Sequence, residues 1–470
     1  MKTNLRSSIS LAVLVAFSGC ATTSPMLSPN VIAPPAWNES APRDATAVSA
    51  DWWKSFGSSE LHQLVNDALA TSPDLAIAME RVRQAEAQVR IAGASLFPTL
   101  DLGAGTSRHV TDSSKSGSTT SDASSATLTA SYEVDLWGRN AAGVRSAQSS
   151  LQATAYDRDT ARLTLIAGVA TSYFDVLSLR SRLAIARENL AIAERVQTIV
   201  AARARNGVAS ALDVDRQDAT VLSQRAVLLP LEQQERQTLA ALAILIGRVP
   251  EGFDVKAAGV ADLQLPAIDP GLPAALLVRR PDLASAEAQL ASANANLAQA
   301  RAALLPSIQL TGAAGVSSAA LLSFLGGPTT AVSLAMSIFQ PIFDGGQLRG
   351  QVSVSESRER ELVESYRKAI LAALGDVEKA LVAADRTAQQ EAVQSQVQAK
   401  AQNALRLAEI RYKEGADDLL TVLDAQRTLF NAQDQLAQIH LNRLQAAVSL
   451  YKALGGGWQS RSGADLTAQR

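Results

Sequence analysis

The sequence predicts an α+β membrane protein built from a duplicated helix–strand–strand–helix unit. Three copies would pool strands into a trimeric twelve-stranded β-barrel, continued by a twelve-helix α-barrel with a mixed equatorial belt. Three observations lead there. The first is a change of period. Leu128, Ala130, Tyr132, Val134 and Leu136 alternate with Thr127, Thr129, Ser131, Glu133 and Asp135, the period of a strand with one apolar face. From about residue 141 to 204 no proline follows, so the strand runs into a helix of about 64 residues, roughly 96 Å long. The same switch recurs where Ser333-Leu-Ala-Met-Ser-Ile-Phe-Gln-Pro-Ile-Phe-Asp-Gly-Gly346 leads into residues 347–412.

The second observation is a repeat. Pro73-Asp74-Leu75 matches Pro281-Asp282-Leu283, 208 positions on, and Pro98/Pro306, Gly138/Gly346, Gly207/Gly415 and Gly247/Gly455 keep that offset. Five punctuators in one register indicate a duplicated unit. The third is a strand count. Each copy carries four strand patterns, but a bilayer barrel needs about eight or more strands and tolerates no free edge. Three copies give twelve, hence a homotrimer with cyclic symmetry.

Composition agrees with helices packed closely together. Apolar residues make up 47% of the 470 but aromatics only 4%, so alanine, leucine and valine dominate. A net charge of −2 leaves no basic footprint for nucleic acid. Lys2 and Arg6 precede an apolar run over residues 9–17, too short to span a bilayer and typical of a secretory signal. It ends in Phe17-Ser18-Gly19-Cys20, which resembles a bacterial lipobox. That resemblance makes residues 1–19 the signal peptide and implies diacylglycerol and N-palmitate on Cys20, enough for stable anchoring. Ala21, rather than aspartate, implies sorting to the outer membrane.

Residues 20–50 read as the lipidated cysteine and an extended Pro/Ser/Ala/Thr leader. The first repeat covers 51–253: short helices, strands at about 99–110 and 125–137, a long helix at about 141–204 and a return helix at about 212–246. Ser72-Pro73 fits a helix start. A connector over 254–280 leads to the second repeat, 281–455, with strands at about 307–317 and 330–342. Its long helix covers about 347–412 and its return helix about 418–454; residues 456–470 form a tail. Leu100, Leu102 and Ala104 alternate with Asp101, Gly103 and Gly105; the second repeat alternates likewise. The Ser/Thr/Asp/Gly-rich residues 111–124, and 318–330 with Gly326-Gly327-Pro328, read as flexible loops. In the helices, Leu183, Ala186, Leu190, Ala193 and Val200 follow a three–four spacing. Val422/Leu429/Leu436 and Phe430/Ala437/Leu444/Tyr451 make two adjacent seams, suiting a helix with a neighbour on each side. Residues 247–280 and 454–470, with 50–70, would form the belt.

No reaction is expected. His62, His109 and His440 lie far apart outside any metal motif, and Leu454-Gly-Gly-Gly457 lacks the lysine of a phosphate loop. The informative residues are where each long helix turns back: Arg203-Ala-Arg-Asn-Gly207 before Asp213, and Arg411-Tyr-Lys-Glu-Gly415 before Asp417, Asp418 and Asp424. Gly207 and Gly415 fit a left-handed helix end. In three copies, axis-facing carboxylates would form rings that attract cations and repel one another.

Trp52-Trp53, Tyr132-Glu-Val-Asp-Leu-Trp-Gly-Arg139, Arg279-Arg-Pro-Asp-Leu283 with Glu287, and Pro306 together resemble the outer-membrane-factor (TolC-like) lipoproteins of the NodT type, across nearly the whole mature chain. The resemblance implies the exit duct of a tripartite efflux pump in the outer membrane of Gram-negative bacteria. It implies a lipid-anchored homotrimer with its helical tunnel in the periplasm. Its partners would be a periplasmic adaptor and an inner-membrane transporter of the proton-driven RND type. It also implies a periplasmic gate, with Tyr412, Asp213 and Asp424 at latch or ring positions and Arg411, Asp417 and Asp418 beside them. A second reading, from another class, is an outer-membrane lipoprotein scaffold or adhesin without transport.

Overall fold

The computed structural model describes residues 27–39, 46–113, 117–260, 263–319 and 328–459. Residues 1–19, expected as a signal peptide, Cys20 and the glycine pair 326–327 lie outside them. After a 3-10 turn at Trp52–Phe56, the elements of the first repeat are α1 (Ser59–Thr71), α2 (Pro73–Ala94), β1 (Thr99–Ser113), β2 (Gly117–Val134), α3 (Arg139–Arg205) and α4 (Ala211–Leu245). A 3-10 turn at Pro273–Val278 precedes α5 (Pro281–Ala302), β3 (Ser307–Ser318), β4 (Thr329–Phe339), α6 (Gln347–Lys413) and α7 (Leu419–Ala453). The helices α2/α5, α3/α6 and α4/α7 start and stop 208 positions apart.

The chain divides into two compact units, one over 81–155 and 285–367, the other over 31–80, 156–284 and 368–470. The first unit contains an antiparallel sheet in the order β1-β2-β3-β4. β1 and β2 are longer than the sequence pattern indicates. Residues 111–113 and 117–124, expected as loop, are strand, paired from Thr111↔Thr119 to Thr106↔Ser124. Ser and Thr are compatible with a pleated strand, and the ladder supplies backbone partners whether or not a face is apolar. At the other end, β2 stops at Val134 rather than 137. There the Asp135 carboxylate accepts from Asn140 N (3.0 Å) and Ala141 N (2.8 Å) and starts α3. Asp344 does the same for α6, accepting from Gly346 N and Leu348 N at 2.9 Å.

The second unit has an aromatic centre. Trp52 stacks on Tyr451 with centroids 4.9 Å apart, and Phe56 meets Phe174 at 4.9 Å; each such pair adds roughly 1 kcal/mol beyond its buried area. Tyr173 donates to Glu60 (3.1 Å), and burial pushes its phenol up to about 12. α3 contains a stretch long and apolar enough to cross a membrane, but 61% of it is buried inside the protein, the behaviour of a core helix. Its buried seam is Leu183, Ala186, Asn189, Ala193, Val196 and Val200. Asn189, not Leu190, takes the inner place.

The connector is held from both sides. Arg180 donates to Glu235 (2.7 Å), to Asp254 and to the carbonyls of Val255 and Ala257, while Glu60 accepts from the amides of Lys256 and Ala257. Part of the leader, expected as a free extended chain, is also docked. Trp37 Nε1 donates to Gly271 O at 2.8 Å, Asn38 donates to Glu378, and Thr46 bridges Ile268. At the C-terminal end, Trp458 donates to Asp159 at 2.9 Å and meets Tyr156 edge-on.

Candidate functional site: a two-faced sheet and two capped hairpin ends

The register sorts the sheet into two faces, because residues directly opposite one another project to the same side. One face is five apolar rows: Val134–Ile308–Ile338, Tyr132–Leu310–Met336, Leu100–Ala130–Gly312–Leu334, Leu102–Leu128–Ala314–Val332, and Ala104–Ala126–Val316–Thr330. From Val134 to Ala126 is about 26 Å along the strand, enough for a tilted strand to cross most of an apolar band about 25 Å tall. Two rows further out the same face turns ionic: Arg108 grips Asp122 through two bonds of 2.7 and 2.9 Å. The other face is small and polar, with rows such as Asp101–Thr129–Ala313–Ser333 and Thr99–Ser131–Thr311–Ala335. The apolar face is solvent-exposed at Leu102, Val332, Leu334 and Met336, and among the described residues β1 and β4 each have one edge without a strand. A flat exposed edge invites another strand.

The hairpin ends belong to the second unit. Both long helices finish in the same Schellman turn. Val208 N donates to Arg203 O (2.9 Å) and Gly207 N to Ala204 O (3.0 Å); Ala416 N donates to Arg411 O (2.8 Å) and Gly415 N to Tyr412 O (3.1 Å). Gly207 and Gly415 have φ of 70° and 76°, where a side chain costs about 1–2 kcal/mol. The return helices are then capped. Ser210 and Asp213 form a reciprocal box, Asp213 N donating to Ser210 Oγ (3.2 Å) and Ser210 N to Asp213 Oδ2 (3.0 Å). Hydrogen bonds from the Ser210 backbone and hydroxyl hold the Asp213 carboxyl below the usual carboxylate range. Asp418 caps α7 by accepting from Thr421 N (3.0 Å) and Thr421 Oγ1 (2.9 Å), which lowers its carboxyl likewise.

The remaining expected tip residues separate. Asp417 accepts from Arg411 Nε at 2.6 Å, which raises the guanidinium's pKa, and Asp424 pairs with Arg427 at 2.6 Å one helical turn on. Tyr412 is buried, packed with Val196, Val200, Ala408, Leu419 and Val422. Burial raises its phenol, against the pull of Arg203 and with the help of Asp213. The residue that sequence reasoning missed is Arg203. Its guanidinium lies 4.5 Å over the Tyr412 ring and donates through Nη1 to the Tyr412 carbonyl, tying the last turn of α3 to the last turn of α6. A signal existed: the spacing Ala193, Val196, Val200 continues to 203, placing an arginine at the end of an apolar run on that seam.

The histidines have local roles. His62 accepts from Trp53 Nε1 (3.3 Å), His440 lies 2.6 Å from Glu391, and His109 is in β1. Among the described residues no cluster of His, Cys, Asp and Glu could hold a metal ion.

A sheet that is apolar on one face, polar on the other and open at both edges, in a chain with two 67-residue helices, defines a β-barrel protein of the outer membrane. Residues 64–248 and 272–456 each match the outer membrane efflux protein family, and the two matches are themselves 208 positions apart. The pyoverdine export outer membrane protein OpmQ of Pseudomonas aeruginosa is 45% identical over 459 residues, covering 96% of both chains. Its namesake from Pseudomonas putida is 42% identical over 464 residues, covering 96% of this chain and 97% of that one. Among solved structures, the open-state MtrE outer membrane channel of Neisseria gonorrhoeae has a TM-score of 0.84 at 30% identity, covering 94% of this chain and 99% of that one. The chain belongs to the outer membrane efflux protein family. It is the outer-membrane component of an efflux system, and its family is one of transport conduits rather than of enzymes.

Proposed function

We propose that three copies close one twelve-stranded barrel whose polar faces line a water-filled pore, and that twelve helical columns continue it as a periplasmic duct. The observation that carries this reading is the four-stranded sheet with an exposed apolar face and two bare edges. A backbone edge in hydrocarbon leaves polar groups unpaired at several kcal/mol each, so lipid forces closure with further copies. The duct is passive, and direction comes from a periplasmic adaptor and a proton-driven inner-membrane transporter of the RND type. The two hairpin ends form the gate at its periplasmic mouth, where Asp213, Tyr412 and Asp424 sit with Arg411, Asp417 and Asp418. Cys20 carries the diacylglycerol and palmitate that anchor the chain.

The two pyoverdine-export relatives, at 45% and 42% identity, support pyoverdine as cargo. The test is deletion of the chromosomal copy. Pyoverdine then accumulates inside the cell and falls in the medium, and the wild-type copy restores export. Unchanged secretion would remove the cargo assignment, and a reconstituted protein that passes no current in planar bilayers would remove the duct.

A further inference from the structure

In the unit that carries the sheet, α3, α5 and α6 enclose a groove of about 680 Å³, within the size range of small-molecule sites. α5 forms its floor and is bonded to both walls. The Ser292 hydroxyl meets Ser146 and Ser150 of α3 at 2.9 Å, while Asn294 and Arg301 donate to Glu359 (2.8 Å) and Glu356 (2.9 Å) of α6. Those polar groups are used up in packing, and the ones that line the groove are not. Asn296 and Gln299 of α5 and Gln351 of α6 line it, and among the described residues their side-chain amides have no protein partner. Arg139 lines it from α3 and Arg358 from α6. Each guanidinium gives one nitrogen to an acid of its own, Glu133 and Glu361, and keeps further N–H donors on side chains 39% and 57% exposed. Among the described residues of the lining there is no Asp or Glu.

The repeat does not require this set. Positions 208 before Gln299, Gln351 and Arg358 carry Ile91, Gly143 and Ser150, so the equivalent helices form without these amides or this cation. Gly143 itself makes room for one of them. A side chain there would sit 3.2 Å from Gln299 Nε2, and glycine is otherwise unfavourable inside a helix. The groove also opens on the polar side of the wall. Arg139 and Ala303 line a second hollow of about 190 Å³ at the foot of the sheet, together with Glu133 and Ser307. Glu133 belongs to the polar row Glu133–Gln309–Ser337 and accepts from Arg139 at 2.6 Å.

We propose that this groove is a contact site for anionic small molecules in the wall of the duct. Arg139 and Arg358 take a carboxylate or comparable oxyanion, and Asn296, Gln299 and Gln351 take the amide groups beside it. An oxyanion only accepts, which matches a guanidinium fork; a side-chain amide both donates and accepts, which suits a peptide-like solute. The proposal rests on the duct reading above and adds the chemistry of the solute that the wall holds.

Current through the full-length protein in planar bilayers tests it, with triglutamate as the acidic, amide-bearing probe and trialanine amide as its uncharged counterpart. Triglutamate is expected to block the current in a concentration-dependent way, and trialanine amide is not. Arg358→Gln should raise the half-blocking concentration of triglutamate roughly tenfold, the loss of one charge-assisted bond, and Gln351→Leu should raise it less. Arg360→Gln removes the same charge from α6 outside the groove and should leave the block unchanged. Block of equal strength in wild type and Arg358→Gln, or equal weakening by Arg360→Gln, would overturn the site while the current itself leaves the duct standing. A wild-type protein that passes no current would overturn the duct and the site together.

Discussion

The two hairpin ends have the same backbone and opposite side-chain chemistry. Both end in a Schellman turn on a positive-φ glycine, 208 positions apart. Yet the first caps its return helix with Ser210 and returns a carboxylate from Asp213, whereas the second caps with Asp418 and returns a hydroxyl from Thr421. Acceptor and donor have been exchanged between equivalent positions, and the cap survives. The arginines diverge further. Arg203 and Arg411 are equivalents, but Arg411 pairs outward with Asp417 while Arg203 turns inward over Tyr412. The reason is the neighbouring position: the second repeat has Tyr412 where the first has Ala204, so only one ring is available and only one arginine can lie on it. Duplication fixed the turn, and the side chains then made the two ends unlike, one reaching across to hold the other.

Tyr412→Ala should break this asymmetry most. Removing a buried aromatic costs on the order of 3 kcal/mol, read as faster amide exchange near the end of α6 and as higher single-channel conductance in planar bilayers. Unchanged conductance would remove Tyr412 from the gate. Arg203→Ala comes next, at about 1–2 kcal/mol for a desolvated cation over a ring at a helix C-terminus. It should raise exchange in the last turn of α6, whereas Arg411→Ala should leave that turn protected. Equal effects from both arginines would refute the inward–outward distinction.

Smaller effects sharpen the comparison of caps. Ser210→Ala should cost about 1 kcal/mol at the start of α4, while the paired exchange Ser210→Asp with Asp213→Thr, copying the second repeat, should retain the cap in the same exchange experiment. Acid should weaken both ends least conspicuously. Asp213 and Asp418 titrate lower in the folded hairpins than the ordinary value of 3.8. Their contribution is therefore fully present above that value and is lost as pH falls through the lowered folded values. Exchange protection of the first turns of α4 and α7 should hold from neutrality to pH 5 and decline below about pH 4. A decline already at pH 6 would point to other groups.

Much of the fold was legible because its signals are periodic or punctuated. The 208-residue offset, the strand-to-helix switches and the glycine stops each depend on local backbone chemistry. What escaped depends on neighbours. Residues 111–113 and 117–124 read as loop because Ser and Thr carry no apolar period, yet the partner strand and the Arg108–Asp122 pair hold them in the sheet. β4 stops at Phe339 instead of 342 because it is an edge and Pro341 has no amide to donate. Leu190 gave way to Asn189 because the three–four spacing leaves one position of freedom. At the hairpin ends the acidic residues lie on or just past the turns, but the sequence does not show what they bond to. Asp213, Asp417, Asp418 and Asp424 each have a partner within this chain, and sequence distance does not reveal that Arg203 reaches Tyr412, 209 positions away.

A four-stranded, two-edged sheet cannot sit in lipid alone. The direct measurement is the native mass of the protein extracted from outer membranes in mild detergent. One species of three chains is expected, with no stable single-chain form. A folded single chain, extracted from the membrane with its sheet intact, would contradict it.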